Sequence, residues 1–225
     1  MERYNTSLIA FLKDFIMEDR WTLLQERVAE RSRHVTAVLE DIYQPQNASA
    51  LLRTSDIFGF QDIHIIENKH RYEVNPKVEK GSSKWLDLHR YRGEGDNSPR
   101  CLDTLIEHGY TLVATSPHVD AYSPENLPLD KPIAILFGTE KDGLRADTME
   151  RCTHKLRIPM YGFTESLNLS VSAGIILNRL RTRLESAEVD FKLHTAAQED
   201  VLLDWLRKSL KQASLLEERF KEIHS

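Results

Sequence analysis

Cysteine is scarce in this chain of 225 residues: Cys101 and Cys152 stand far apart, and neither has a partner at metal-ligand spacing. That excludes a disulfide framework and a zinc site as the source of folding, and both residues are expected to be buried thiols. Long apolar runs are also missing. None approaches the roughly 20 residues of a membrane span, and the opening Met1-Glu2-Arg3-Tyr4-Asn5 has no leader pattern, so the expectation is a cytoplasmic protein without a membrane partner. Neither common phosphate-binding signature is present. The loop Gly138-Thr139-Glu140-Lys141-Asp142-Gly143 lacks the lysine and hydroxyl of a Walker loop in their places, and Gly93-Glu94-Gly95 stands alone in a polar loop, which disfavours a dehydrogenase. Excess positive charge is absent too, since the formal net charge is −5 and wholesale attraction to polyanions is not expected.

What is present is strand and helix in alternation. Leu8, Leu12, Phe15 and Ile16, continued by Leu23, Leu24 and Val28, predict one or two amphipathic helices before Arg31. Short β-branched or apolar segments follow as predicted strands: His34 to Leu39, Ile63 to Ile66, Thr111 to Thr115, Ile133 to Phe137 and His154 to Ile158. Helices are predicted between them, from Asn47 to Gly59, Leu102 to His108, Ala146 to Glu150 and Ser166 to Glu185. Ile133-Ala134-Ile135-Leu136-Phe137 is apolar on both faces, as a central parallel strand requires. The expected class is α/β, a mostly parallel sheet flanked by helices, with the core over 34–186, a helical extension over 1–33 and another over 187–225, where spacing resumes from Asp200 to Ile223.

Three segments carry candidate chemistry. Arg53 lies in an otherwise small and apolar stretch, Asn47 to Thr54; an always-charged guanidinium there pairs with a carboxylate or aims at an anion such as phosphate. Asn47 at the start of that helix reads as a cap or a site residue. The Gly138 to Gly143 loop follows the central strand and permits close backbone approach. Ser166, Leu167 and Asn168 place hydroxyl and amide groups inside an apolar run from Ile158 to Leu180, where they either cap a helix or line a crevice for a nucleotide-like ligand. Between Lys69 and Arg92, bases outnumber acids and are interleaved with Tyr72, Trp85 and Tyr91, a composition shared by single-strand RNA surfaces and by solvated loops.

Taken in order, the Asn47 to Thr54 helix, the Gly138 to Gly143 loop and the run from Ile158-Pro159-Met160 through Ser166-Leu167-Asn168-Leu169-Ser170 resemble the SpoU family of RNA ribose 2′-O-methyltransferases, over roughly Val35 to Leu184. The resemblance implies a SPOUT-type fold whose carboxyl-terminal part forms a trefoil knot, an obligate homodimer, and S-adenosylmethionine as methyl donor. It implies Thr115, Gly138, Ile158 and Leu167 at the donor site, and Arg53, Asn47, Glu140, Ser166 and Asn168 in catalysis, with no metal. Gly81-Ser82-Ser83-Lys84-Trp85 and the flanking helices bring the chain nearest to members acting on the tRNA D-loop, with ribosomal RNA, the tRNA wobble position or a non-catalytic RNA binder as alternatives. On that reading Lys80, Ser82, Lys84, Trp85 and Arg90 contact tRNA, assisted by Arg179, Arg181 and Arg183.

Overall fold

The computed structural model describes residues 2–117 and 121–224, with side chains from residue 4 onward. The Ser116 to Pro132 connection therefore falls partly outside the described residues. The chain divides into two compact units, Arg33–Phe191 and the pair of terminal segments Met1–Ser32 with Lys192–Ser225.

The terminal unit is helical. It contains α1 (Glu2–Lys13), α2 (Glu18–Ala29), and from the other end of the chain α8 (Thr195–Ser209) and α9 (Ala213–Ile223). Helix α8 packs against α1 and α2, burying Leu8, Leu12, Leu24, Val28, Trp205 and Leu206. The single helical run predicted from Asp200 thus begins five residues earlier and breaks before Ala213, where α9 starts.

The larger unit holds six strands: β1 (Val35–Glu40), β2 (Asp62–Ile66), β3 (Asp87–Tyr91), β4 (Thr111–Thr115), β5 (Ile133–Phe137) and β6 (His154–Leu156). They are hydrogen-bonded in the order β3-β2-β1-β5-β4-β6, and every pairing is parallel. Helices α3 (Pro45–Ile57), α5 (Ser98–Glu107), α6 (Ala146–Arg151) and α7 (Leu169–Ser186) connect or cover them, with one short turn, α4 (Pro76–Glu79). Side chains alternate between faces along each strand. Val35, Ala37, Leu39, Ile133, Ile135 and Phe137 meet Leu51 and Leu52 of α3 and Ala173, Leu177 and Leu180 of α7. Val38, Ala134 and Leu136 meet Cys101, Leu102 and Leu105 of α5 and Cys152 on the other face. Both cysteines are free and buried. No helix of the described residues is long and apolar enough to cross a membrane.

Strand β3 is absent from the sequence prediction, which assigns no helix or strand between Lys69 and Arg92. His89 and Arg90, on its two faces, are both exposed, and it is an edge strand with only one neighbour. Helix α7 begins at Leu169, three residues later than predicted; Asn168 is its cap, its side chain accepting from the Ser170 backbone N–H at 2.9 Å.

At the amino ends of β1 to β3 the charges are knotted together. Asp62 accepts from Arg33 Nε at 2.8 Å and from His89 Nε2 at 2.6 Å, while Arg33 also reaches Asp87 at 2.8 Å. Burial alone would raise the Asp62 carboxyl, but the His89 hydrogen bond and the Arg33 charge hold it below its ordinary value. The same hydrogen bond raises His89. Next to it His64, stacked on His89 with centroids 4.6 Å apart, is pushed down to about 4 by burial and by the His89 charge, against the pull of Asp62. A depressed histidine binds its proton in the unfolded chain first, so its contribution to stability is intact above pH 6.5 and is lost as pH falls toward 4. His89 has the opposite sign: its contribution is present below pH 6.5 and fades as pH rises through its folded value. His64→Gln should therefore flatten the acid limb. Between pH 7 and pH 5 the wild-type protein should lose about 2 kcal/mol more than the variant, measured by urea unfolding at both values. An equal loss in the two proteins would show that His64 is not held neutral.

Candidate functional site

Parallel strands direct all their carboxyl ends to one edge of the sheet, where ligands bind in such folds. There a cavity of about 330 Å³ opens between the loops that follow β4, β5 and β6, within the range of small-ligand sites. Thr115, at the end of β4, lines it, with its hydroxyl donating to the Leu136 carbonyl at 2.7 Å. After β5 come Gly138 and Glu140, and after β6 Ile158, Met160, Ser166 and Leu167, with Leu169, Ser172 and Ile176 of α7 closing the wall. All four donor-site residues expected from sequence thus line one cavity.

The loop after β5 is pinned rather than loose. Thr139 and Gly143 exchange two backbone hydrogen bonds of 3.0 Å, the Thr139 hydroxyl accepts from Asp142 N at 3.0 Å, and Gly143 takes φ 70°. Gly138 is buried, and the space a Cβ would need is already filled by Gly143 and the Leu144 amide.

Beside the cavity lies a polar cluster whose hub is Asn47, 4 % exposed. Its amide donates to Glu140 and, at 3.2 Å, to Gln44. Its carbonyl oxygen accepts from Asn168 Nδ2 and from the Ser170 hydroxyl, both at 3.2 Å. Helix α3 starts at Pro45 after Gln44, so Asn47 lies inside the first turn and is no cap. It ties together three segments that are distant in sequence: α3, the Gly138 loop and the start of α7. Ser170, part of the run that marks this segment in the sequence but given no role there, also belongs to this cluster; its place two residues after a capping Asn is the signal for that role.

The catalytic candidates are not all in one cavity. Glu140 and Ser166 line it, whereas Asn47, Asn168 and Arg53 do not. Arg53 is exposed on α3 and makes no hydrogen bond or ion pair with another described residue. The alternative of a structural salt bridge is thereby removed.

The basic stretch is open at some positions and engaged at others. Arg90 is held by Glu67 through two hydrogen bonds, 2.9 and 2.7 Å, and lies 5.3 Å from the centre of the Tyr72 ring. Ser82 is buried because the Gly81 to Trp85 segment folds as a turn of 3-10 helix, and Tyr91 is buried because it joins Ile66 and Cys101 in the core on the α5 face. Lys80 and Lys84 remain exposed, the latter 4.8 Å from the centre of the Trp85 ring. Arg181 pairs with Glu185 and lies over Phe191, and Arg183 donates to the Pro124 carbonyl at 2.9 Å, so this cluster stands committed to the fold. Arg179 lies 3.8 Å from Glu125.

The lining suits a cationic ligand rather than a phosphate. Its charged side chains are Glu140, Asp142 and Lys141, two acids against one base, and no group of three or more His, Cys, Asp or Glu among the described residues could hold a metal ion.

Comparison with known proteins bears on the same segments. The model of the SpoU rRNA Methylase family matches residues 34–178. A tRNA (guanosine(18)-2′-O)-methyltransferase of Borreliella burgdorferi is 37% identical over 209 residues, covering 93% of this chain and 94% of the relative. Among solved structures, the A. aeolicus TrmH/SpoU tRNA modifying enzyme superposes with a TM-score of 0.75 at 25% identity, covering 87% of this chain and 98% of that one. A structure solved for insight into 2-OH methylation of C/U34 on tRNA has a TM-score of 0.57 at 27% identity, covering 68% of this chain and 97% of that one. The matched region contains all six strands, the cavity and the Asn47 cluster, and the chain belongs to the SpoU rRNA methylase family.

Proposed function

We propose that this protein transfers a methyl group from S-adenosylmethionine to a ribose 2′-hydroxyl of RNA, at guanosine 18 of the tRNA D-loop. The observation that carries the tRNA choice is the extent of the likeness. The relative named for guanosine 18 aligns with 93% of the chain, while the structure concerned with C/U34 aligns with 68%.

The donor site is the cavity at the carboxyl ends of β4 to β6. S-adenosylmethionine supplies a methyl group made electrophilic by a positive sulfur, which suits walls whose charged members are mostly acidic. Thr115, Gly138, Ile158 and Leu167 hold the donor, and Leu156, Leu169 and Ile176 exclude water around it. The 2′-hydroxyl is a poor nucleophile until its proton is drawn away; the proton passes to solvent as the oxygen–methyl bond forms and the methyl–sulfur bond breaks, leaving a neutral thioether. Ser166, whose hydroxyl makes no hydrogen bond to another described residue, orients that oxygen. The Arg53 guanidinium is a planar fork of donors with no acceptor, so it acts as a clamp on the ribose and its phosphate rather than as a base. Asn47 holds Glu140, and Asn168 holds the start of α7, which fixes the angle at which the RNA meets the cavity.

The working unit is a homodimer. Tyr161 and Phe163 are 96% and 108% exposed, and Leu167, Val171 and Ile175 continue the apolar strip along one side of α7, a surface of the kind that a second copy covers. The trefoil knot expected of the carboxyl-terminal part rests on family likeness.

The test is incubation of the purified protein with labelled S-adenosylmethionine and separate pools of tRNA and ribosomal RNA, followed by mapping of ribose methylation. Label at tRNA position 18 is expected. Label confined to ribosomal RNA or to position 34 would reject the assignment.

A further inference from the structure

Of the rings that composition singles out, Tyr91 is buried, Tyr72 packs against the core and Trp85 is half-buried, whereas Tyr43, which composition does not single out, is 69% exposed. It sits in the loop after β1, and the ring of His70, in the loop after β2, packs edge-on against it with centroids 5.0 Å apart and planes at 67°. Both loops leave the carboxyl ends of adjacent strands, and β1 is also the neighbour of β5. The pair therefore stands on the same edge of the sheet as Glu140 and Asn47.

The two rings are held in place by an unusual backbone. Asp41 adopts φ 52°, a left-handed conformation rare for a residue with a side chain. In return its carboxylate oxygen accepts from the backbone N–H groups of Asn68 at 2.7 Å, Lys69 at 2.8 Å and His70 at 3.3 Å. One carboxylate thus staples the two loops together, and the rings are preorganised while one face of Tyr43 stays open. Lys69 and Arg71, on either side of His70, are exposed and form no ion pair among the described residues. A rigid open ring flanked by free cations is what a nucleobase with its phosphates requires.

We propose that Tyr43, buttressed by His70, is the stacking platform for an unpaired nucleobase of the RNA substrate, with Lys69 and Arg71 on the adjoining phosphates. This rests on the reading above only in taking RNA as the substrate.

The experiment measures RNA affinity as a function of salt for wild type, Tyr43→Phe, Tyr43→Ala, His70→Ala and Lys69→Ala, using an unmodified tRNA transcript, or a ribosomal RNA fragment should that be the RNA the wild type binds. Tyr43→Ala should weaken binding roughly 10- to 100-fold, Tyr43→Phe less than about threefold because the ring face survives, and His70→Ala should fall between. A lost stack releases no counterions, so the slope of log Kd against log salt should stay unchanged in Tyr43→Ala and drop by about one in Lys69→Ala. Donor affinity and the urea midpoint should be unaltered in Tyr43→Ala. Wild-type RNA affinity in Tyr43→Ala would overturn the proposal, as would a shift of its sedimentation toward monomer, which would assign the ring to a contact between copies. Methylation of ribosomal RNA alone would defeat the guanosine 18 reading while leaving the platform to be judged on that RNA; failure of the wild type to bind either RNA would defeat both.

Discussion

Replacing Arg53 by alanine is expected to lower kcat by about 10³-fold, within the range for removing one positioned donor from the reacting centre, while affinity for S-adenosylmethionine changes less than about threefold. The separation of the two effects follows from geometry. Arg53 is on α3, exposed and unpaired, and does not line the cavity assigned to the donor. Removing it takes nothing from the donor and leaves no buried partner unsatisfied, so the fold should also hold. Arg53→Lys tests the clamp directly, since an ammonium keeps the charge but loses the two-pronged geometry that grips a phosphate. Only partial recovery is expected. Calorimetric titration with the donor, beside single-turnover methylation of tRNA, decides the matter: a large loss of donor affinity in Arg53→Ala would move this residue into the donor pocket.

Gly138→Ala is expected to fail for a different reason. One added methyl would overlap the Gly143 carbonyl and the Leu144 amide, and these are backbone atoms that cannot swing aside. The loop is closed by two hydrogen bonds between Thr139 and Gly143, so relief requires opening it. The cost is about 3 kcal/mol, the upper part of the range for overpacking a tight interior. The same opening disperses the wall formed by Gly138, Thr139 and Glu140 and withdraws Glu140 from Asn47. Donor binding should become undetectable by calorimetry, and the urea midpoint should fall. Gly162→Ala makes a useful control because no atom lies within 4 Å of a Cβ at that position; it should leave stability as it is. A stable Gly138→Ala protein that binds donor normally would contradict this account of the loop.

How much of this could be read in advance depends on burial. Strands β4 and β5 are predicted to the residue, because apolar positions covered on both faces leave a continuous run. Strand β3 escapes because its outer positions have no such covering and carry charge. The cavity proposed for the donor is legible in outline, since Thr115, Gly138, Ile158 and Leu167 do come together. The role of Asn47 as a hub is not, because its partners lie in segments remote in sequence and only the packing of α3 against α7 brings them near. The aromatic residues of the basic stretch mislead for a similar reason: composition cannot tell a ring laid over Arg90 from one left open as Tyr43 is.

A sheet in which every neighbour runs parallel allows no pairing by a local hairpin. Val35 must find Ile133, and Thr111 must find the same Ile133 from the other side, each closing a long stretch of chain before any contact rewards it. Such a molecule acquires its central strands late and together. Refolding is accordingly slow for its size, and a chain interrupted during synthesis before Ile133 leaves Val35 to Leu39 as an unsatisfied apolar edge for chaperones to shield.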